Sequence, residues 1–177
     1  QKDGHATVWL ANGTVAGRVT INSGNGEAHS SLASVTVGKG ISDKGKEGMD
    51  YLYVDDVDAA SISFAGGSGD SYVQIYGGSF IRKSLRIANG YGTDDLRILD
   101  STIGGSVTVT NGDGDTTTYV DTSTIGSAGP DAPTHSYRAK SRDGVDFFSA
   151  TDSTFARDLV LDHGYSGSST YLTNITV

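Results

Sequence analysis

Two successive stretches of the chain are copies of one another. Residues 84–105 and 106–127 are each 22 residues long and match position for position in their apolar and glycine pattern. Leu85 and Ile87 correspond to Val107 and Val109, and Gly90 and Gly92 to Gly112 and Gly114. Ser101-Thr102-Ile103-Gly104 returns as Ser123-Thr124-Ile125-Gly126. A fixed period in this range predicts a solenoid, because one unit cannot bury its own apolar face and must stack on the next. Within the unit, apolar and polar residues alternate in short runs broken by glycine, which predicts strands and corners rather than helices.

The same ruler extends in both directions. Val8, Leu10 and Val15 fall at inward positions of a first, partial coil, and residues 18–27 follow the pattern of 106–115. Residues 61–75 form a further coil before Ser84, and residues 152–155 repeat 100–103. The expected fold is all-β, a single domain over 1–177 with roughly seven coils. Stacked at about 4.8 Å, such a rod is on the order of 35 Å long. Two stretches depart from the pattern and are expected to be loop insertions: the charged, Gly-rich 38–50, and 128–142, which holds both prolines and several basic residues.

Composition fits a thin core with many corners. The chain has 25 glycines and 36% hydrophobic residues, and it has no cysteine, which excludes disulfides and thiolate metal sites. A formal charge of −8 argues against nucleic acid, whose phosphates need a basic surface. No apolar run approaches the ~18 residues of a membrane-spanning helix.

The pattern resembles the right-handed parallel β-helix of secreted and cell-surface repeat proteins, polysaccharide-active enzymes and phage tail proteins. That resemblance implies an extracellular or surface location. It covers most of the chain but rests on generic features, so it speaks to architecture. One corner, Gly90 to Leu96, is also similar to a calcium-binding nonapeptide of the RTX type, Gly-x-Gly-x-Asp-x-hydrophobic. On that basis Asp94, with Asp113 and Asp115 of the next corner, are the candidate Ca²⁺ ligands, since calcium takes six to eight oxygens. Turn aspartates that satisfy backbone groups are the plainer reading, and no other cofactor is suggested.

Aligning strand centres brings out an outward column: Trp9, Tyr53, Gln74, Arg97, Tyr119 and Tyr171. Exposed aromatics on a flat sheet suit sugar rings or a protein surface, although aromatics also cover neighbouring strands on any pleated face. Asn12, Asp100, Thr122 and Asp152 line up at one corner and read as structural, with the Ser and Thr residues that follow them. Asn12 and Asn174 begin formal glycosylation sequons. No catalytic residue is assigned. His5, His29, His135 and His163 fall at different coil positions with no shared partner, and a lyase arrangement of Asp70, Asp94 and Asp115 beside the 138–142 basic segment is the least unfavourable one.

The strand pattern runs close to both ends without an amphipathic cap. An open solenoid end exposes core and unpaired strand. The expectation is therefore either a segment of a longer repeat protein or a non-enzymatic structural subunit that stacks head to tail into a filament, stalk or surface layer. In that assembly Val8, Leu10 and Val15 at one end meet Leu172, Ile175 and Val177 at the other. The alternative is an adhesive module binding polysaccharide through Trp9, Tyr53, Arg97, Tyr119 and Tyr171.

Overall fold

The computed structural model describes residues 4–126 and 135–177, with no side-chain description for His135. Among the described residues all regular structure is strand, and no helix is long and apolar enough to cross a membrane. The strands pair in parallel, coil on coil, about seven turns in all. Each turn contributes to three stacked ladders. The first joins Ala6, Ala28, Asp50, Ser71, Asp94, Thr116, Asp146 and Ser168 and the residues after them. A short second ladder carries Val15, Val37 and Ala59 and continues through Ile81, Ile103, Ile125 and Phe155. The third runs from Arg18–Asn22 through Gly40–Lys44 and on to Asp158–Asp162.

Alternation sorts the side chains. In Asp94–Leu99, Asp94, Leu96 and Ile98 turn inward while Asp95, Arg97 and Leu99 turn outward. Inward residues meet their own kind across coils: Leu85 on Val107, Ile87 on Val109, Ile103 on Ile125, as the repeat requires. The resulting core is one continuous cluster from Leu32 to Phe155, closed near its far end by Phe148, Phe155 and a fully buried Tyr137. Each coil thus draws its stability from its two neighbours.

Two corner devices hold the turns. One residue per coil between the first and second ladders adopts the left-handed conformation: Asn12, Ser34, Asp56, Asp100, Thr122, Asp152 and Asn174, with φ between 45° and 53°. Asn and Asp tolerate this region because their short side chains bond locally, and Gly77 and Gly78 serve in the remaining coil. The next residue is a serine in several coils, and its hydroxyl links turns. Ser101 N donates to Ser123 Oγ (3.2 Å), Ser123 N to Ser153 Oγ (3.1 Å), and Val57 N to Ser79 Oγ (3.1 Å). At the Gly-x-Gly corners the backbones stack so closely that a Cβ on Gly114 would lie 1.8 Å from Gly92 O.

Both expected insertions are smaller than the sequence suggested. Gly40–Lys44 is a regular strand paired with residues 18–22 on one side and 62–65 on the other, so 38–50 belongs to the stack. Its charge misled because Asp43 points into the core. In the second stretch, His135–Lys140 is also a strand, pairing with 107–110 and with 158–162. Thr116 pairs with Asp146, thirty residues on, where Asp94 and Thr116 are twenty-two apart. The surplus therefore falls between 126 and 135, and residues 127–134, with Pro130 and Pro133, lie outside the described residues.

Candidate functional site

The outward side of the first ladder is the most distinctive surface. Strand pairing places Trp9, Ser31, Tyr53, Gln74, Arg97, Tyr119, Ser149 and Tyr171 in one unbroken row. This is the column expected from the sequence, with Ser31 and Ser149 filling its gaps. A flanking row adds His29, Tyr51, Tyr72, Asp95 and Phe147. The sequence reading passed over these rings, although they sit two residues from the column in each strand and so share its face.

The rings divide into two groups with different exposure. His29, Tyr51 and Tyr72 stack nearly parallel, with centroids 4.2 and 5.0 Å apart and planes within 14°. Their faces cover one another, so this group serves mainly to join coils. Tyr119, Phe147 and Tyr171 are tilted, at 5.5 and 5.4 Å with interplanar angles of 51° and 35°. Tyr119 and Tyr171 remain exposed, Tyr171 the more so. Trp9 is also exposed, at the first coil.

Arg97 separates the two groups. Its guanidinium is gripped by Asp95 (Nη2–Oδ2 2.8 Å, Nε–Oδ1 3.0 Å) and lies 5.4 Å from the Tyr119 ring centroid. The hydrogen bonds to Asp95 hold the guanidinium still more firmly in its charged form. A shallow groove of about 470 Å³ runs beside it, lined by Arg97, Leu99, Tyr119, Val120, Asp121, Ser149 and Thr151. Hydrogen-bond donors and acceptors on this floor adjoin exposed aromatic rings.

The candidate calcium ligands do not converge. Asp94 is buried at 1% exposure, whereas Asp113 and Asp115 face solvent. Asp113 Oδ1 lies 3.6 Å from Arg142 Nη1, and Asp115 Oδ1 accepts from Val145 N at 2.8 Å. Asp70 accepts from Thr93 N (2.8 Å), so the acids considered for a lyase also stay apart, each tied to its own corner. Among the described residues no three His, Asp or Glu side chains are placed to share a metal ion. One correction concerns histidine. His5 and His29 do share a partner, flanking Glu27 at 3.0 and 2.7 Å, and the hydrogen bond from His29 lowers the Glu27 carboxyl below its ordinary range.

What the sequence hid is inside. At the closed corner between the third and first ladders, Asp50, Ser71, Asp94, Thr116 and Asp146 form an inward polar column. A second buried column, with Asn111 and Ser141, runs beside it. Asn89 Nδ2 donates to Asn111 Oδ1 and Asn111 Nδ2 to Ser141 Oγ, each at 3.3 Å; Ser141 Oγ donates to Asp146 Oδ1 at 2.8 Å. Ser71 Oγ donates to Asp94 Oδ1. Burial pushes Asp94 up to about 7 against that hydrogen bond, and burial with the nearby charge of Asp43 pushes Asp50 up to about 7. Strand parity was the available signal, since Asp50 precedes Leu52, and Asp94 precedes Leu96, by two residues.

The residues expected at an assembly contact lie at opposite ends of the stack. Val8, Leu10 and Val15 turn inward in the first coil and are half-buried. Ile175 packs on the core from the last coil, while Leu172 and Val177 are largely exposed.

No family model, no curated protein and no solved structure matches the chain.

Proposed function

We propose that this solenoid is a rigid extracellular or surface-displayed rod that binds polysaccharide along the outward side of its first ladder. The contact patch is Arg97, Tyr119, Asp121, Ser149, Thr151 and Tyr171. The observation that carries this reading is the groove in which exposed Tyr119 adjoins a fixed guanidinium, a carboxylate and two hydroxyls, with exposed Tyr171 next in the row. Sugars offer apolar ring faces and hydroxyl edges together, and such a patch meets both. The rod supplies the rest, because stacked strands hold these groups in a fixed row at about 4.8 Å spacing, so binding orders little of the protein.

Affinity electrophoresis through gels containing neutral and acidic polysaccharides tests this. Retention by at least one polymer is expected, with Tyr119→Ala and Tyr171→Ala each weakening it about tenfold, the equivalent of ~1.4 kcal/mol. Absence of retention by every polymer, or full retention by the double variant, would refute it.

A second reading is end-to-end stacking of copies, favoured by the exposed Leu172 and Val177 in the last coil and the half-buried Val8, Leu10 and Val15 in the first. There strand pairing and apolar contact would continue from one subunit to the next. Light scattering that stays monomeric at high concentration, with no fibres in micrographs, removes it.

A further inference from the structure

The rod carries its cations on one side. Among the described residues, every Lys and Arg except Arg97 lies in a strand of the third ladder or within two residues of one. On the outward side of that ladder Lys44, Arg86, Arg138 and Lys140 are exposed. None of the four has an ion-pair partner among the described residues. The only exposed acids in its strands are Asp158 and Asp162, both in the last one. On a chain of net charge −8, an unpaired basic face marks a surface that meets something acidic.

Spacing narrows the partner. With the coil that opens at Ala6 counted as the first, Lys44 belongs to the second coil, Arg86 to the fourth, and Arg138 with Lys140 to the sixth. The third and fifth coils put Ser63, Ala65, Thr108 and Thr110 at the same positions. The cations thus recur at every second coil, about 9.6 Å apart. Duplex nucleic acid, with one charge per ~1.7 Å, is far denser than this face can match. A surface with the matching interval stands on the rod itself. The left-handed corner between the first and second ladders carries Asp56 in the third coil, Asp100 in the fifth and Asp152 in the seventh, all exposed. Ser34, Gly77 and Thr122 take the even coils there. Bases stand on even coils and acids on odd ones.

We propose that a second copy of this chain docks its acidic corner, Asp56, Asp100 and Asp152, on the basic face of the third ladder. Two parallel rods offset by one coil, about 4.8 Å, bring Lys44 opposite Asp56, Arg86 opposite Asp100, and Arg138 with Lys140 opposite Asp152. One exposed pair contributes little by itself. Rigid rods present all of them in register, so the pairs form together. The contact is heterologous: each copy keeps one basic face or one acidic corner free, and rods add sideways into a layer. It uses charge along the rod's sides, whereas stacking at the ends uses apolar groups and strand pairing.

Sedimentation equilibrium at two ionic strengths tests this. At about 0.1 M salt, charges are screened beyond ~10 Å, which damps repulsion between whole chains; at about 1 M the limit is ~3 Å, which removes the pairs. The average mass is expected to exceed one chain and rise with protein concentration at the lower salt, and to fall to one chain at the higher. Two variants divide the contact. Arg86→Gln with Arg138→Gln loses the face, and Asp56→Asn with Asp100→Asn loses the corner while suiting the left-handed backbone there. Each alone is expected to be monomeric at the lower salt. Mixed in equal amounts they are expected to form dimers and nothing larger, because one supplies the intact corner and the other the intact face. Assembly undiminished at the higher salt belongs to the ends and overturns the proposal, as does association of either variant to the wild-type extent or a mixture that stays monomeric. Wild-type chain that is monomeric at both ionic strengths overturns it too, and retention on heparin would then assign the face to an anionic polymer.

Discussion

The chain is expected to lose stability as pH rises towards neutrality, the reverse of ordinary acid denaturation. Asp50 and Asp94 are 2% and 1% exposed, and each carboxyl is pushed from 3.8 up to about 7. Between those values the folded chain keeps a proton on each that the unfolded chain releases. Their stabilising contribution is whole below about pH 4, falls as pH climbs towards 7, and is gone above it. One group gives a slope of about 1.4 kcal/mol per pH unit, so the two together give about 2.7 between pH 5.5 and 6.5. Glu27 and Asp143 are shifted downward, so their contribution is lost only as pH falls below the ordinary carboxylate range, outside this window. Urea denaturation at pH 5.5, 6.5 and 7.5 measures the effect. It should be followed by circular dichroism at the strand band, because Trp9 is 79% exposed and its fluorescence reports unfolding poorly. Burial raises the Asp43 carboxyl too, which adds to the slope in the same direction, so Asp50→Asn is expected to lower the slope by one group's share, about 1.4 kcal/mol per pH unit. Stability that is flat or rising from pH 5.5 to 7, or an undiminished slope in Asp50→Asn, would refute the reasoning.

Two further outcomes follow from the corners. Thr122 is β-branched yet sits at φ 48°, a region that Asn occupies with less strain, so Thr122→Asn is expected to raise stability by about 0.5–1 kcal/mol in the same urea assay. Ser123→Ala removes the acceptor of Ser101 N and is expected to cost about 1–3 kcal/mol; a loss below 0.5 would mean that water reaches that amide.

The stacking was legible because residues 84–127 repeat without interruption, and Leu85 on Val107 and Ile103 on Ile125 are pairs the period alone names. The outward row followed from the same ruler, as Trp9 and Tyr171 show across the whole stack. Reading failed where the period drifts. Asp50 pairs with Ser71 after twenty-one residues and Ser71 with Asp94 after twenty-three, which blurs the register upstream of Ser84. It failed again where a polar residue sits inward. Asp43, Asp50 and Asp94 look like turn acids by type, and only their parity with Ile41, Leu52 and Leu96 marks them as core. The sequence carries no sign that Tyr51 and Tyr72 spend their ring faces on each other, since that depends on ring rotation and not on position.

The thirty-residue turn bears on how such a chain can be altered. Around it, Thr116 to Asp121 pairs with Asp94 to Leu99 on one side and with Asp146 to Thr151 on the other, without a shift in register. The added length of this turn leaves the first ladder in register, while the third ladder shifts between His135 and Tyr137, and loop closure costs only about 0.6 kcal/mol for each doubling of length. The corner is a natural graft point, where a peptide epitope or a small domain can be carried while the rod and its outward row keep their spacing.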